Sequence, residues 1–211
     1  MDGRTAVLRV AEVLHELNAD FIALQEVWYD QAQMLARAIG YEFAFAPARR
    51  HRGFPYGNAS LSRASLEASR NIDLTAGREP RLALRSDLDL GGWKLHIFNV
   101  HLGTAWSERR RQAALLLSEE LLRAGDLSAP RVILGDFNEW TTGRVTRALR
   151  AEFPHARQPR RSFPGLLPVL ALDALYYDRP LQQLRLYHHR TRRALLASDH
   201  LPLVGEFETA R

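Results

Sequence analysis

Apolar residues at Ala6, Val10, Val13, Leu14 and Leu17 recur at three- and four-residue steps, which predicts a helix with one buried face. The next apolar run, "FIALQEV" (Phe21 to Val27), is too short and too continuous for a second helix and predicts a buried strand. Helical spacing returns from Gln31 to Ile39, where Gly40 is placed to stop it. In "YEFAFAP" the alternation points Phe43 and Phe45 inward along a strand. Ala48 to Gly57, rich in Gly, Pro and Arg, reads as a loop, followed by "NASLSR" and a strand-like stretch near Leu66 to Leu74.

"RLALRSDLDLGGWKLHIFNVHL" carries the clearest hairpin pattern. Leu82, Leu84, Leu88 and Leu90 mark one arm, Gly91-Gly92 the turn, and Leu95, Ile97, Phe98 and Val100 the return. A long amphipathic helix is expected over Ser107 to Ala124, with Arg109 to Arg111 exposed on its first turns. Arg131 to Leu134 then forms a strand, and Thr142 to Glu152 a helix capped by Thr141 or Thr142. "LDALYYD", "QLRLYHH" and "LVGEFET" are three late strands. Many strands with a few interspersed helices predict one α+β domain over residues 1–211, largely antiparallel, with two sheets packed face to face.

Composition adds exclusions more than identity. The chain has 211 residues, 46% hydrophobic, enough for a substantial core. It has no cysteine, which removes disulfides and thiolate zinc sites. No apolar run approaches the roughly 18 residues that span a bilayer, and no signal-peptide layout opens the chain, so a cytoplasmic monomer is the default expectation. A net charge of +5 and a pI near 10.0 favour anionic partners. Nearly all of that base is arginine; "HHRTRR" (His188 to Arg193) and "RQPRR" (Arg157 to Arg161) are its densest runs and read as solvated loops.

Chemically able residues collect where strands end. Gln25-Glu26 follows "FIAL"; Asn99 and His101 lie in "FNVHL"; Asp136 and Asn138 lie in "LGDFN"; Asp173 and Asp199-His200 sit in "LALDALYY" and "ASDHLPL". Burying a carboxylate is costly unless a cation or donor compensates it. One such acid would be an ordinary satisfied core residue; four acids and two histidines at strand termini favour convergence on one site. A hard divalent cation explains the carboxylates. No G-x-S-x-G elbow, H-E-x-x-H helix or Walker A loop is present, which leaves metal-assisted hydrolysis of a phosphate ester.

The blocks "LQE", "NVHL", "GDFN" and "SDH", in that order, resemble the endonuclease/exonuclease/phosphatase superfamily of DNase I-like metal-dependent phosphodiesterases. "GNASLSR" (Gly57 to Arg63) and "REPR" (Arg78 to Arg81) extend the resemblance, which covers Asp2 to Phe207. It implies a four-layered α/β sandwich, two mostly antiparallel sheets flanked by helices. It also implies Mg²⁺ or Mn²⁺ held by Glu26 and Asp199. Asp136 would orient or deprotonate the attacking water, and Asn138 would hold that water or a phosphate oxygen. His101 would contact the phosphate, held by Glu79; His200 would bond the scissile phosphate, oriented by Asp173. Asn58, Arg81 and Asn99 are the implied substrate contacts. Each carboxylate–histidine pair would raise its imidazole toward the charged form.

The substrate so implied is a phosphodiester: nucleic acid, phospholipid or a small molecule. The alternative is a catalytically crippled phosphate- or nucleic-acid-binding domain of the same fold. Family members open with a strand ending in asparagine, whereas Met1 to Arg4 matches the loop after it. The domain is thus expected to be N-terminally truncated, with an open edge beside Phe21 to Glu26 and roughly 10–20 further residues upstream in the gene, about a strand plus a loop.

Overall fold

The computed structural model describes residues 3–128, 130–156 and 161–209. Its elements run α1 (Gly3–Leu17), β1 (Phe21–Trp28), α2 (Tyr29–Ile39), β2 (Glu42–His51), β3 (Phe54–Ser62), β4 (Ser65–Asp73), β5 (Leu82–Asp89), β6 (Lys94–His101), α3 (Trp106–Leu116), β7 (Arg131–Asp136), α4 (Arg144–Glu152), β8 (Asp173–Tyr177), β9 (Leu181–His188), α5 (Arg192–Ala197) and β10 (Leu203–Thr209). The central sheet has the order β4-β5-β6-β7-β8 and is antiparallel except for β6 and β7, which the α3 crossover makes parallel.

Alternation on the central strands fills two cores. Phe98, Val100, Ile133, Ala174 and Tyr176 face α3 and α4, packing with Leu116, Val145 and Leu149. Ile97, Val132, Leu175 and Tyr177 face the other way, against Phe21, Leu134, Leu203 and Phe207. That second core is closed by two separate ladders, β1-β3-β2 and β10-β9. Helices α1 and α2 cover the outer side of the first ladder through Ala11, Leu14 and Leu35 on Ile22 and Leu61. Four layers result, as expected. The expected single second sheet is two ladders, because among the described residues β1 bonds only β3 and β10 bonds only β9. Among the described residues β1 is an edge strand of its ladder. No helix among the described residues is long and apolar enough to cross a membrane.

Several local expectations change. On β2 the residues buried between sheets are Ala44 and Ala46; Phe43 and Phe45 turn outward against the Tyr29 ring of α2, at 5.7 and 5.4 Å. A strand covered on both faces lets the smaller residues take the tighter one. The expected loop over Ala48 to Gly57 is mostly hairpin: β2 and β3 continue to a turn at Arg52-Gly53, both in the left-handed region. α3 stops at Leu116, short of Ala124. Arg109 is not exposed but buried, its guanidinium donating to the carbonyls of Gly103 and Thr104. α4 begins at Arg144, and in place of a threonine cap the buried Glu139 carboxylate accepts from the Thr146 amide at 2.7 Å. "HHRTRR" is not wholly loop: Thr191 caps the short α5, accepting from the Ala194 amide. Of "RQPRR", Arg157 to Arg160 lie outside the described residues.

Candidate active site at the strand ends

Three strands of the central sheet bring their acids and imidazole to one end. β6 closes on His101, β7 on Asp136, and β8 opens on Asp173; the ladder pairs His101 with Asp136 and Asp136 with Asp173. Gly135 makes this possible. Its φ is +133°, and a Cβ there would lie 2.1 Å from the Val100 carbonyl oxygen, so any side chain would force β7 away from β6. Asn138, at φ +50°, then turns the chain: its backbone amide donates to Asp136 Oδ1 at 2.8 Å and its side-chain amide donates to the Leu102 carbonyl at 2.9 Å. Asn138 thus holds Asp136 directly, with its own Nδ2 committed to backbone.

Glu26 reaches the same end from β1 by an irregular route. Leu24 pairs with Ala59 and Val27 with Gly57, so Gln25 and Glu26 together oppose Asn58. This bulge places Glu26 at φ +56°, a strained backbone that aims the carboxylate out of the ladder. Glu26 lines a cavity of about 10 Å³ with Asn58, Tyr56, Arg49, Arg81 and His101. That is room for about one water molecule. Tyr56 was not anticipated by sequence; burial and then the Glu26 carboxylate, to which it hydrogen-bonds, push its hydroxyl up to about 12.

The two histidines differ. Arg81 Nη1 lies 3.1 Å from His101 Nδ1 and 3.2 Å from Nε2. A guanidinium can only donate, so it selects the neutral ring. Burial first, then the charges of Arg81, His200 and Arg49, bring His101 down to about 3. The expected Glu79–His101 pair is therefore corrected: Glu79 binds Arg81 Nη2 at 2.6 Å, with Arg49 3.8 Å away. His101 stays neutral beside Asp136, at 3.7 Å. At His200 the expected pair is present, Nδ1 lying 2.9 Å from Asp173 Oδ2. Burial opposes its charge, but the bond to Asp173 and the charges of Asp173, Asp136 and Asp199 raise it to about 9. Asp136 is raised to about 7 by burial and then by the Asp173 charge.

Asn99 departs from its expected role as a substrate contact. Fully buried, it donates to the carbonyls of Leu24 and Ala59 and accepts from Gln25 Nε2 at 2.7 Å, while Asn58 donates to its backbone carbonyl. All its side-chain groups are spent tying the two sheets together. Asp199 is exposed in the turn before His200, its carbonyl accepting from the Gly165 amide. Among the described residues no group of three His, Cys, Asp or Glu gathers to hold a metal ion. The donors instead suit a sparsely held hard cation, since Mg²⁺ keeps several waters and takes one or two carboxylates plus substrate phosphates. Glu26, with no ion-pair partner among the described residues, fits that demand.

Comparison with known proteins identifies the family and the fold. The model of the Endonuclease/Exonuclease/phosphatase family matches residues 2–200. The protein YbhP of Escherichia coli is 29% identical over 225 residues, covering 92% of this chain and 85% of that protein. A mannosyl-6-phosphatase of Bacteroides thetaiotaomicron superposes with a TM-score of 0.81 at 16% identity, over 98% of this chain and 91% of that one. The human Nocturnin catalytic domain, with bound sulfate, gives 0.77 at 24% identity, over 97% and 86%.

Proposed function

The chain belongs to the Endonuclease/Exonuclease/phosphatase family, and from that premise we propose that it is a phosphoric ester hydrolase that cleaves phosphodiesters with Mg²⁺ or Mn²⁺ held at Glu26. The observation that carries this reading is the row Asp136, Asp173, His200, in which Asp173 pairs with Asp136 across the ladder and bonds the His200 ring at 2.9 Å. Asp136 is a carboxylate raised to about 7, His200 an imidazole raised to about 9. Between those two values Asp136 is a free carboxylate while His200 is still an imidazolium, so a base and a cation are present at the same pH. Asp136, pinned through Oδ1 by the Asn138 amide, takes the proton of the attacking water. His200, held through Nδ1 by Asp173, turns Nε2–H toward a non-bridging phosphate oxygen and stabilises the charge that develops there.

Neutral His101 offers the second face of the phosphate a hydrogen bond without a charge of its own, and Arg81, fixed by Glu79, adds a guanidinium beside it. Asn58 lines the phosphate position next to Glu26. A cation at Glu26, with Asp199 as a further contact through water, would neutralise a phosphate oxygen and assist the leaving group. The test is hydrolysis of bis(p-nitrophenyl) phosphate and p-nitrophenyl phosphate with Mg²⁺, Mn²⁺ or EDTA, against Asp136→Asn. Metal-dependent cleavage of the diester, lost in Asp136→Asn, is expected. Turnover no greater than that of Asp136→Asn would mean a binding domain; cleavage of the monoester alone would replace the diester reading.

A further inference from the structure

The two most exposed large apolar side chains among the described residues lie at the catalytic end. Leu166 and Leu167 are 79% and 72% exposed, and Val169 49%, all in the segment leading into Asp173. Phe54, 59% exposed, stands at the tip of the β2–β3 hairpin, beyond Tyr56 and the Glu26 cavity. The leucine loop is stitched to the catalytic turn: the Gly165 amide donates to the Asp199 carbonyl at 2.7 Å, and the Leu201 amide to the Ser162 carbonyl at 3.0 Å. The Phe163 ring lies 4.9 Å from that of His200. A protein gains nothing by holding two adjacent leucines rigidly in water beside its reactive histidine.

Cations accompany them. Arg52 occupies the hairpin turn before Phe54, and Arg190 donates to the Leu166 carbonyl at 3.2 Å. Both are exposed, and neither has an acidic partner among the described residues. Apolar tips flanked by unpaired arginines match the boundary of an anionic bilayer, where side chains enter the acyl region and guanidinium groups meet headgroup phosphates. Phe54, Trp106 and Trp140 are exposed rings on which a single strand could stack, but the two most exposed side chains, Leu166 and Leu167, offer a nucleic acid nothing and favour an acyl region. We propose that the catalytic end docks on an anionic lipid bilayer through Leu166 and Leu167, with Phe54 and the arginines around them, so that a headgroup phosphate is presented at His200.

The docking surface rests on where the cleft lies, and its test is separable from that of the chemistry. The chain is sedimented with vesicles of phosphatidylcholine alone or with one-third phosphatidylglycerol, alongside Leu166→Glu/Leu167→Glu and Leu90→Glu. Leu90 is an exposed leucine at the β5–β6 turn, the opposite end of the sheet. The expected result is binding to the anionic vesicles that falls about a hundredfold in the double variant, since each leucine removed from water is worth roughly a factor of ten. Leu90→Glu should bind like the unaltered chain, and hydrolysis of bis(p-nitrophenyl) phosphate should be unchanged in both variants. A circular dichroism melt confirms that the double variant is folded. Absent vesicle binding, or equal binding by the folded double variant, overturns the proposal. So does leucine-dependent capture of a single-stranded oligonucleotide instead, or leucine-dependent dimerisation. Lost vesicle binding with intact hydrolysis removes this inference alone; intact vesicle binding with no hydrolysis removes the proposed activity alone.

Discussion

His101 closes β6 and His200 lies in the turn before β10; they face one cleft, one neutral and the other charged. His101 meets a guanidinium and sits near 3; His200 meets a carboxylate and sits near 9. Burial lowers both rings, and His101 is the more buried; Arg81 then lowers His101 further, whereas the bond to Asp173 and the surrounding carboxylates carry His200 past the cost of burial. A histidine at a strand end is therefore only a position for chemistry; the group opposite its ring nitrogen decides whether it gives a proton, accepts one or does neither.

The comparison breaks most visibly if His200 is removed. His200→Ala should lower kcat by roughly 10²–10⁴-fold, the range for losing a charge-stabilising group at a phosphate, with little change in melting temperature. Near-unaltered turnover would show that His101, not His200, serves the reaction. Asp173→Asn keeps the shape and removes the charge. It should lower kcat by about 10–100-fold, and the alkaline limb of the rate profile should move down from about 9 toward the ordinary imidazole value. An unmoved limb would mean that Asp173 only positions the ring.

Smaller effects sharpen the other half. In Arg81→Met the His101 resonance, followed by NMR, should titrate above its present value of about 3 but below 6.5, because burial, the larger cause, remains. A His101 that does not shift would show that the guanidinium is incidental. Glu79→Gln should change turnover by less than about threefold, since half-exposed ion pairs contribute little and Glu79 touches Arg81 rather than the imidazole. A loss as large as that from His200→Ala would restore the direct Glu79–His101 pairing.

Most of this site was legible in the sequence, because strand periodicity and the short motifs fix which end of the sheet each residue reaches. Asp136 and Asn138 could be read from the strand that ends in "LGDFN", whereas the need for Gly135, so that β7 can approach β6, shows only in the fold. What stayed hidden depends on partners distant in the chain. Asn99 sits among reactive residues in sequence, yet its amide is consumed by Leu24, Ala59 and Gln25 from the other sheet. Glu79 and Arg81 lie two apart, and nothing in their spacing says which one meets His101. Tyr56 lay within a stretch read as loop, and only the hairpin brings it to Glu26. The inward-facing choice on β2 failed because phenylalanine is not always turned to the deepest core when both faces of a strand are covered.

The central claim is that Asp136 acts as base while His200 stays charged, and the pH dependence of kcat/KM for bis(p-nitrophenyl) phosphate, with Mg²⁺ and with EDTA, tests it most directly. Asp136 works only when deprotonated, so the rate should rise with pH through about 7, a limb that a bound cation moves to lower pH. His200 works only when protonated, so the rate should fall as pH passes about 9. The account predicts a Mg²⁺-dependent bell with its alkaline limb near 9, absent in EDTA. A flat profile, an alkaline limb near 6.5, or equal turnover in EDTA would contradict it.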